Sequence, residues 1–286
     1  MGIAEFVYTI LLKPAPLRTL ANTVIRAIVP SRVRRNGATV ILNPADPVIS
    51  AAVTFSVYER PETRFMHGQL RPGITFLDIG ANVGYYTALA QVQLKGEGRI
   101  VALEPDPECF SLLLQTVEAN GFRNVECLQK AAADQPGRVR LYTSKDNRGD
   151  SRLYNNDLSD GSVEVECVVL DTLLSTLGIA SLDLIKIDVQ GFEAKVMAGL
   201  RETLRRSPKC VILSEFWPQG LLDAGSDPRR YLDYLCELSM TLFELDPSGG
   251  LAPLRDRDAL IARNPGRVYT NIVAAGPEAH FAMGVA

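Results

Sequence analysis

The chain has 286 residues, of which 47% are hydrophobic and 22% charged, and a formal net charge of −3. This is the composition of a soluble globular chain with room for one large domain or two small ones, and its slight negative charge excludes a general attraction to nucleic acid or acidic lipid. Cys109, Cys127, Cys167, Cys210 and Cys236 form no CxxC or Cys/His spacing, which speaks against structural zinc or a disulfide framework and for reduced thiols in a reducing cytoplasm.

The opening MGIAEFVYTILLKPAP lacks the basic start and small-residue cleavage site of a signal peptide. Up to residue 36, Lys13, Arg18, Arg26, Arg32, Arg34 and Arg35 face only Glu5. The segment reads as a basic amphipathic helix, either packed on its own domain or lying as a weak anchor on an anionic membrane. No apolar run approaches the roughly 18 residues of a membrane span. RRNGATVILNPAD follows as a small hairpin or strand, and residues 1–73 together read as an N-terminal cap.

From residue 74 the pattern alternates. ITFLDIG, RIVALEP, VECLQKA, LDLIKID, CVILSEF, MTLFELD and NIVAAG read as seven strands, the last two as an antiparallel pair at the sheet edge. Between them lie the helical runs VGYYTALAQVQL, PECFSLLLQTVEANG, GFEAKVMAGLRETLRRS and DPRRYLDYLCELS. Strands alternating with helices predict an α/β fold over residues 74–286, with a doubly wound, Rossmann-like, mostly parallel sheet. Residues 137–171 interrupt it with two further strands. The long polar connection between them, DNRGDSRLYNNDLSDGS, reads as a binding loop or a plain mobile loop. Its Asn147, Arg148, Arg152 and Tyr154 are candidates to bond a hydroxyl-rich substrate or are solvated loop residues.

The first strand runs into D-x-G-x-x-x-G, formed by Asp78, Gly80 and Gly84, and then into a helix. Glycine there lets a ligand approach the backbone, and the helix start offers unpaired N–H donors. Glu104, at the end of the second strand, is placed to accept both hydroxyls of a ribose. The combination points to a nucleoside. A dinucleotide fold wants glycine where this chain has Asn82, and Asp78 repels a pyrophosphate but attracts a cationic amino group. S-adenosylmethionine, with an ammonium, a sulfonium and no phosphate, fits these charges. Asn82, Tyr85 and Pro105, in the same two connections, join the cofactor candidates, as does Asp188 further along the chain.

FLDIGANVGYYT, VALEPDPECFSLLLQTVEANG, and LDLIKIDVQGFEAKVMAGL followed by ILSEF together resemble the FkbM-type S-adenosylmethionine-dependent methyltransferases. A weaker similarity extends over about residues 40–275 and includes the VYE of residues 57–59. The resemblance implies a class I methyltransferase fold and a hydroxyl acceptor on a sugar, polysaccharide or natural product. It also implies that Asp78 and Gly80 face the methionine part, Glu104 the ribose, and Asp106 with Ala132–Asp134 the adenine edge. The family pattern has Glu where this chain has Gln190.

In a doubly wound sheet LDLIKID lies beside the first strand, so Asp188 ends at the crevice where ligands bind. Strand alternation puts Lys186 on the same face. Asp188 is the candidate base, or the residue that positions the acceptor, and Glu215 is the second candidate. Lys186 reads as an ion-pair partner of either, and Glu193 as a helix-start acid. Asp188 and Glu215 alone make too few ligands for a metal, and none is expected. His67 reads as a cap histidine or an imported base, and His280 as inert. Trp217 lines an acceptor pocket or packs in the core. An N-methyltransferase, a dinucleotide oxidoreductase (disfavoured by Asn82) and a non-catalytic nucleoside-binding protein complete the readings.

Overall fold

The computed structural model describes residues 25, 27–144, 147–155 and 161–280. The expected amphipathic helix falls largely outside the described residues, and its last stretch, Arg32–Arg35, is a strand and not a helix. Arg32–Arg35 (β1) and Ala38–Ile41 (β2) pair as a hairpin, joined by Asn36 and Gly37 at φ 49° and 87°. Asn-Gly supplies the two positive-φ positions that a tight two-residue turn requires. Along β2, Asn120 mimics a neighbouring strand: its Nδ2 donates to the Thr39 carbonyl and its Oδ1 accepts from the Thr39 N–H. Pro47–Thr54 (α1), capped by Asp46, and Arg60–Gln69 (α2) complete this N-terminal segment.

The main sheet is then laid down in chain order. Thr75–Ile79 (β3) leads to Tyr85–Leu94 (α3), Arg99–Leu103 (β4) to Pro107–Ala119 (α4), and Val125–Leu128 (β5) follows. Ala131–Ala132 (β6), Gly137–Thr143 (β7) and Gly161–Val168 (β8) form a separate three-stranded sheet. After Leu170–Thr176 (α5) the chain returns through Leu184–Ile187 (β9), Glu193–Ala198 (α6), Arg201–Arg205 (α7) and Val211–Phe216 (β10). Pro218–Asp223 (α8), Pro228–Glu237 (α9), Thr241–Leu245 (β11), Leu251–Pro253 (β12), Arg257–Arg263 (α10) and Thr270–Ala275 (β13) end it.

The strand order is β12-β11-β13-β10-β9-β3-β4-β5, with the five strands from β10 to β5 parallel. This is the doubly wound, mostly parallel sheet expected. The two last expected strands do pair antiparallel, but β13 is wedged between β10 and β11, and short β12 adds an eighth strand at the edge. The expected helix over residues 191–207 is broken at Gly199. A Cβ there would lie 2.3 Å from the Ala133 carbonyl oxygen, and Asp171 accepts from the N–H groups of Glu202 and Thr203 to start α7 anew.

The central strands are buried on both faces, as parallel strands between helices must be. Leu77, Ile79, Ile185, Ile187 and Ile212 pack toward α5, α6 and α9. Phe76, Ile100, Leu184, Leu213 and Val273 pack toward α3, α2 and β2. Each such side chain contributes about 1.5–3 kcal/mol by leaving water. Because β-strand side chains alternate, this second face also carries Asp78, Lys186, Asp188 and Glu215. The residues that carry the charge therefore lie on one side of the sheet, under the N-terminal segment. No helix among the described residues is long and apolar enough to cross a membrane.

Candidate active site

Asp78 is the last residue but one of β3, and its side chain is fully buried. Its Oδ2 accepts from the Thr87 hydroxyl at 2.6 Å, while Oδ1 has no hydrogen-bond partner among the described residues. Burial pushes this carboxyl up to about 6, with Lys186 opposing. The turn that follows holds Gly80 at φ 78° and Gly84 at φ 84°. A Cβ would lie 1.9 Å from the Asp188 carbonyl oxygen at Gly80 and 2.8 Å from Leu113 Cδ1 at Gly84. Glycine is thus demanded by the protein's own packing, and the approach of a ligand is not needed to explain it. Asn82 takes φ 50°, a region Asn tolerates, and its N–H donates to Glu104 Oε2 at 2.8 Å.

Glu104 stands at the tip of β4 and also accepts from the Asp106 N–H, through Oε1 at 2.8 Å. Burial pushes its carboxyl up to about 8 against the pull of these two N–H groups. Asp106, just past half-buried Pro105, caps α4 by accepting from the N–H groups of Glu108 and Cys109. Its other oxygen accepts from Arg148 Nη1 at 3.0 Å. Ala132 is buried in β6 opposite Val168, and Asp134 is exposed. Tyr85 packs edge-on against Tyr86, and its hydroxyl accepts from Asn36 Nδ2 at 2.9 Å.

The centre of the site is Lys186. It is buried, with Nζ 3.2 Å from Asp188 Oδ2, 4.0 Å from Glu59 Oε2 and 4.8 Å above the Tyr86 ring. Burial works against its charge, but Asp188, Glu59 and Asp78 outweigh it and hold the ammonium above its ordinary range. Asp188, one residue beyond β9, accepts on Oδ1 from Gln190 Nε2 at 2.8 Å. The same nitrogen donates to Glu215 Oε2 at 3.0 Å. Burial, with Asp188 and Glu193 near, keeps the Glu215 carboxyl well above the carboxylate range. The amide thus occupies the position between the two acids. Among the described residues no group of three His, Cys, Asp or Glu is placed to hold a metal.

Glu59 ends the VYE similarity with no role attached to it, and the structure brings it to Lys186. It sits at φ 38° before α2, and its carboxylate accepts from the Tyr86 hydroxyl at 2.7 Å. Burial raises its carboxyl, with Lys186 opposing. Glu193 does start α6, as expected, but its side chain folds back: Oε1 accepts from the N–H groups of Val189 and Gly191. Its Oε2 is buried without a partner among the described residues, and burial pushes the group up to about 7.

The described part of the long loop covers this end of the sheet. Arg148 bonds Asp106 and Glu108, and its N–H donates to Asp46. Arg152 is buried, paired with Asp150 and stacked 4.4 Å over the Trp217 ring. The Tyr154 hydroxyl donates to the Gln190 carbonyl at 3.0 Å. Trp217 donates from Nε1 to the Gly266 carbonyl at 2.7 Å. His67 is exposed on α2 and His280 exposed near the end of the described chain, both outside this cluster.

The model of the methyltransferase FkbM domain matches residues 78–239, more than half of the chain. The chain belongs to the FkbM methyltransferase family. It is therefore a methyltransferase that uses S-adenosylmethionine, on the class I fold described above. Among its relatives, the 2-O-methyltransferase NoeI of Sinorhizobium fredii is 31% identical over 58% of this chain and 72% of that protein. The 31-O-demethyl-FK506 methyltransferase FkbM of Streptomyces tacrolimicus is 28% identical over 48% and 63%. The hexuronic acid methyltransferase AglP of Haloferax volcanii is 24% identical over 65% and 69%.

Proposed function

We infer that this FkbM-family enzyme transfers a methyl group to a hydroxyl of a sugar, a polysaccharide or a natural product, with Asp188 as proton acceptor. One observation supports the role above others. Asp188 projects from the tip of β9 with 22% of its side chain exposed, anchored by Lys186 and Gln190, while Asp78 and Glu215 beside it are buried. Two of the relatives are named for O-methylation and one for a hexuronic acid, which supports an oxygen nucleophile.

The residues present suit the methyl donor. Asp78 keeps a buried oxygen without a protein partner, suited to an ammonium, and each oxygen of Glu104 uses only one of its lone pairs on the backbone. Asp78 with the Gly80–Asn82 backbone would hold the methionine end and Glu104 the ribose. Asp106 with Ala132–Asp134 would flank the base. S-adenosylmethionine, when bound, supplies a methyl group on a positively charged sulfur. Asp188 takes the proton of the acceptor hydroxyl as that oxygen is methylated, and Lys186 holds the carboxylate in place. Glu215, whose carboxyl burial holds above the carboxylate range, lies beside it and accepts from the same Gln190 amide.

Transfer of labelled methyl to a panel of monosaccharides, methyl glycosides and uronic acids tests the reading. Asp188→Asn is expected to lower turnover about 10²- to 10⁴-fold while S-adenosylhomocysteine still binds by calorimetry. Full turnover in that variant would remove Asp188 from its role.

A further inference from the structure

Gln190 lies at φ 53°, a left-handed conformation that costs a non-glycine residue energy and persists only where the surroundings hold it. Here they do. Tyr154 donates to its carbonyl, and Glu193 ties the N–H groups on either side of it, those of Val189 and Gly191. Gly191 packs so closely on α8 that a Cβ would lie 2.3 Å from the Gly220 carbonyl oxygen. From this fixed turn Nε2 reaches Asp188 at 2.8 Å and Glu215 at 3.0 Å. The reverse amide orientation would set a carbonyl oxygen against the Asp188 carboxylate, which Lys186 already pairs, so the amide nitrogen belongs on this side.

One nitrogen holding two acids makes them a single titrating unit, since acids this close share their protonation states. The groups that face the pair come from every element around it. Lys186 of β9 is the cation beside it, opposed by Asp78 of β3, Glu104 of β4, Glu193 of α6 and Glu59, with Tyr58 and Tyr86 around Glu59. From the loop, Arg152 is already matched by Asp150. A carboxylate at position 190 would have no hydrogen to give and would add charge. Even protonated it has one O–H where the amide has two N–H.

We propose that Gln190 is a positioning residue whose amide clamps Asp188 and Glu215 into one pair and sets the pH at which that pair takes up a proton. This rests on the reading of Asp188 as proton acceptor, and the clamp can be measured without turnover. Carbon-13 NMR of carboxyl-labelled protein, free of cofactor and acceptor, follows both groups, with signals assigned by D188N and E215Q. In Q190E the pair takes up its first proton about one pH unit higher than in the unmodified protein. Q190M removes both bonds without adding charge and moves it the same way by less. Both variants stay folded by circular dichroism. Titrations that superimpose on the unmodified protein's overturn the proposal, whereas a purely structural role for Gln190 would change stability and leave the midpoint in place. If D188N keeps full turnover while these midpoints move, the proton-acceptor reading falls and the clamp stands; loss of turnover with unmoved midpoints removes the clamp alone.

Discussion

At Gly80 a side chain would begin where the Asp188 carbonyl oxygen already lies, and the backbone is at φ 78°. Neither that carbonyl nor the left-handed turn can yield cheaply. Gly80→Ala is therefore expected to lose about 3 kcal/mol or more in urea denaturation, and a variant as stable as its parent would contradict the packing described. The sequence suggested that glycine makes room for a ligand. The crowding partner is a carbonyl from a strand distant in the chain, which no local pattern reports. Asp78, Glu104, Asp188 and Glu215 were legible because each lies at or near the end of an apolar run, and acids near parallel strand tips meet at one crevice. Glu59 was not. Its place beside Lys186 depends on a left-handed backbone before α2 and on how the N-terminal segment lies over the sheet.

Among the elements, the loop over residues 147–155 is held to α4 chiefly through Arg148, whose partner Asp106 is buried. Arg148→Ala removes both ion pairs and leaves Asp106 with its cap bonds alone. We expect faster amide exchange across 147–155 and roughly tenfold weaker binding of S-adenosylhomocysteine, the size of a partly buried pair lost at a site's rim. Exchange at the parental rate would show that the loop is held by Arg152 and Tyr154 instead. The alternation of apolar runs and amphipathic segments was enough to place the parallel strands and their helices. It gave no hint of β12, whose three residues are too few for a period, nor of the wedging of β13, which is a matter of sheet order. The break at Gly199 was hidden for a similar reason, since its cause is the Ala133 carbonyl across the fold.

Over the whole molecule, burial raises one carboxyl after another: Asp46 and Asp78 to about 6, Glu62 and Glu193 to about 7, Glu104 to about 8. Each binds its proton more tightly folded than unfolded. The stability this gives is full below the unfolded values near pH 4 and is lost as pH rises through the folded values, between about pH 4 and 8. The thermal midpoint of the cofactor-free protein is expected to fall by several degrees from about pH 5 to pH 8.5, at roughly 2 °C per kcal/mol. A midpoint that climbs over that interval in a fluorescence melt at constant ionic strength would refute the assignment. The wedged strand β13 has a consequence for synthesis. It pairs with both β10 and β11 and sets Asn271 opposite Glu215 and onto Glu62, so the ribosome must translate nearly to residue 275 before the centre can close. Until then the nascent chain presents β10, every residue of which is buried in the finished fold, with one unpaired edge, and a chaperone that shields that edge would bind the half-made protein and release the finished one.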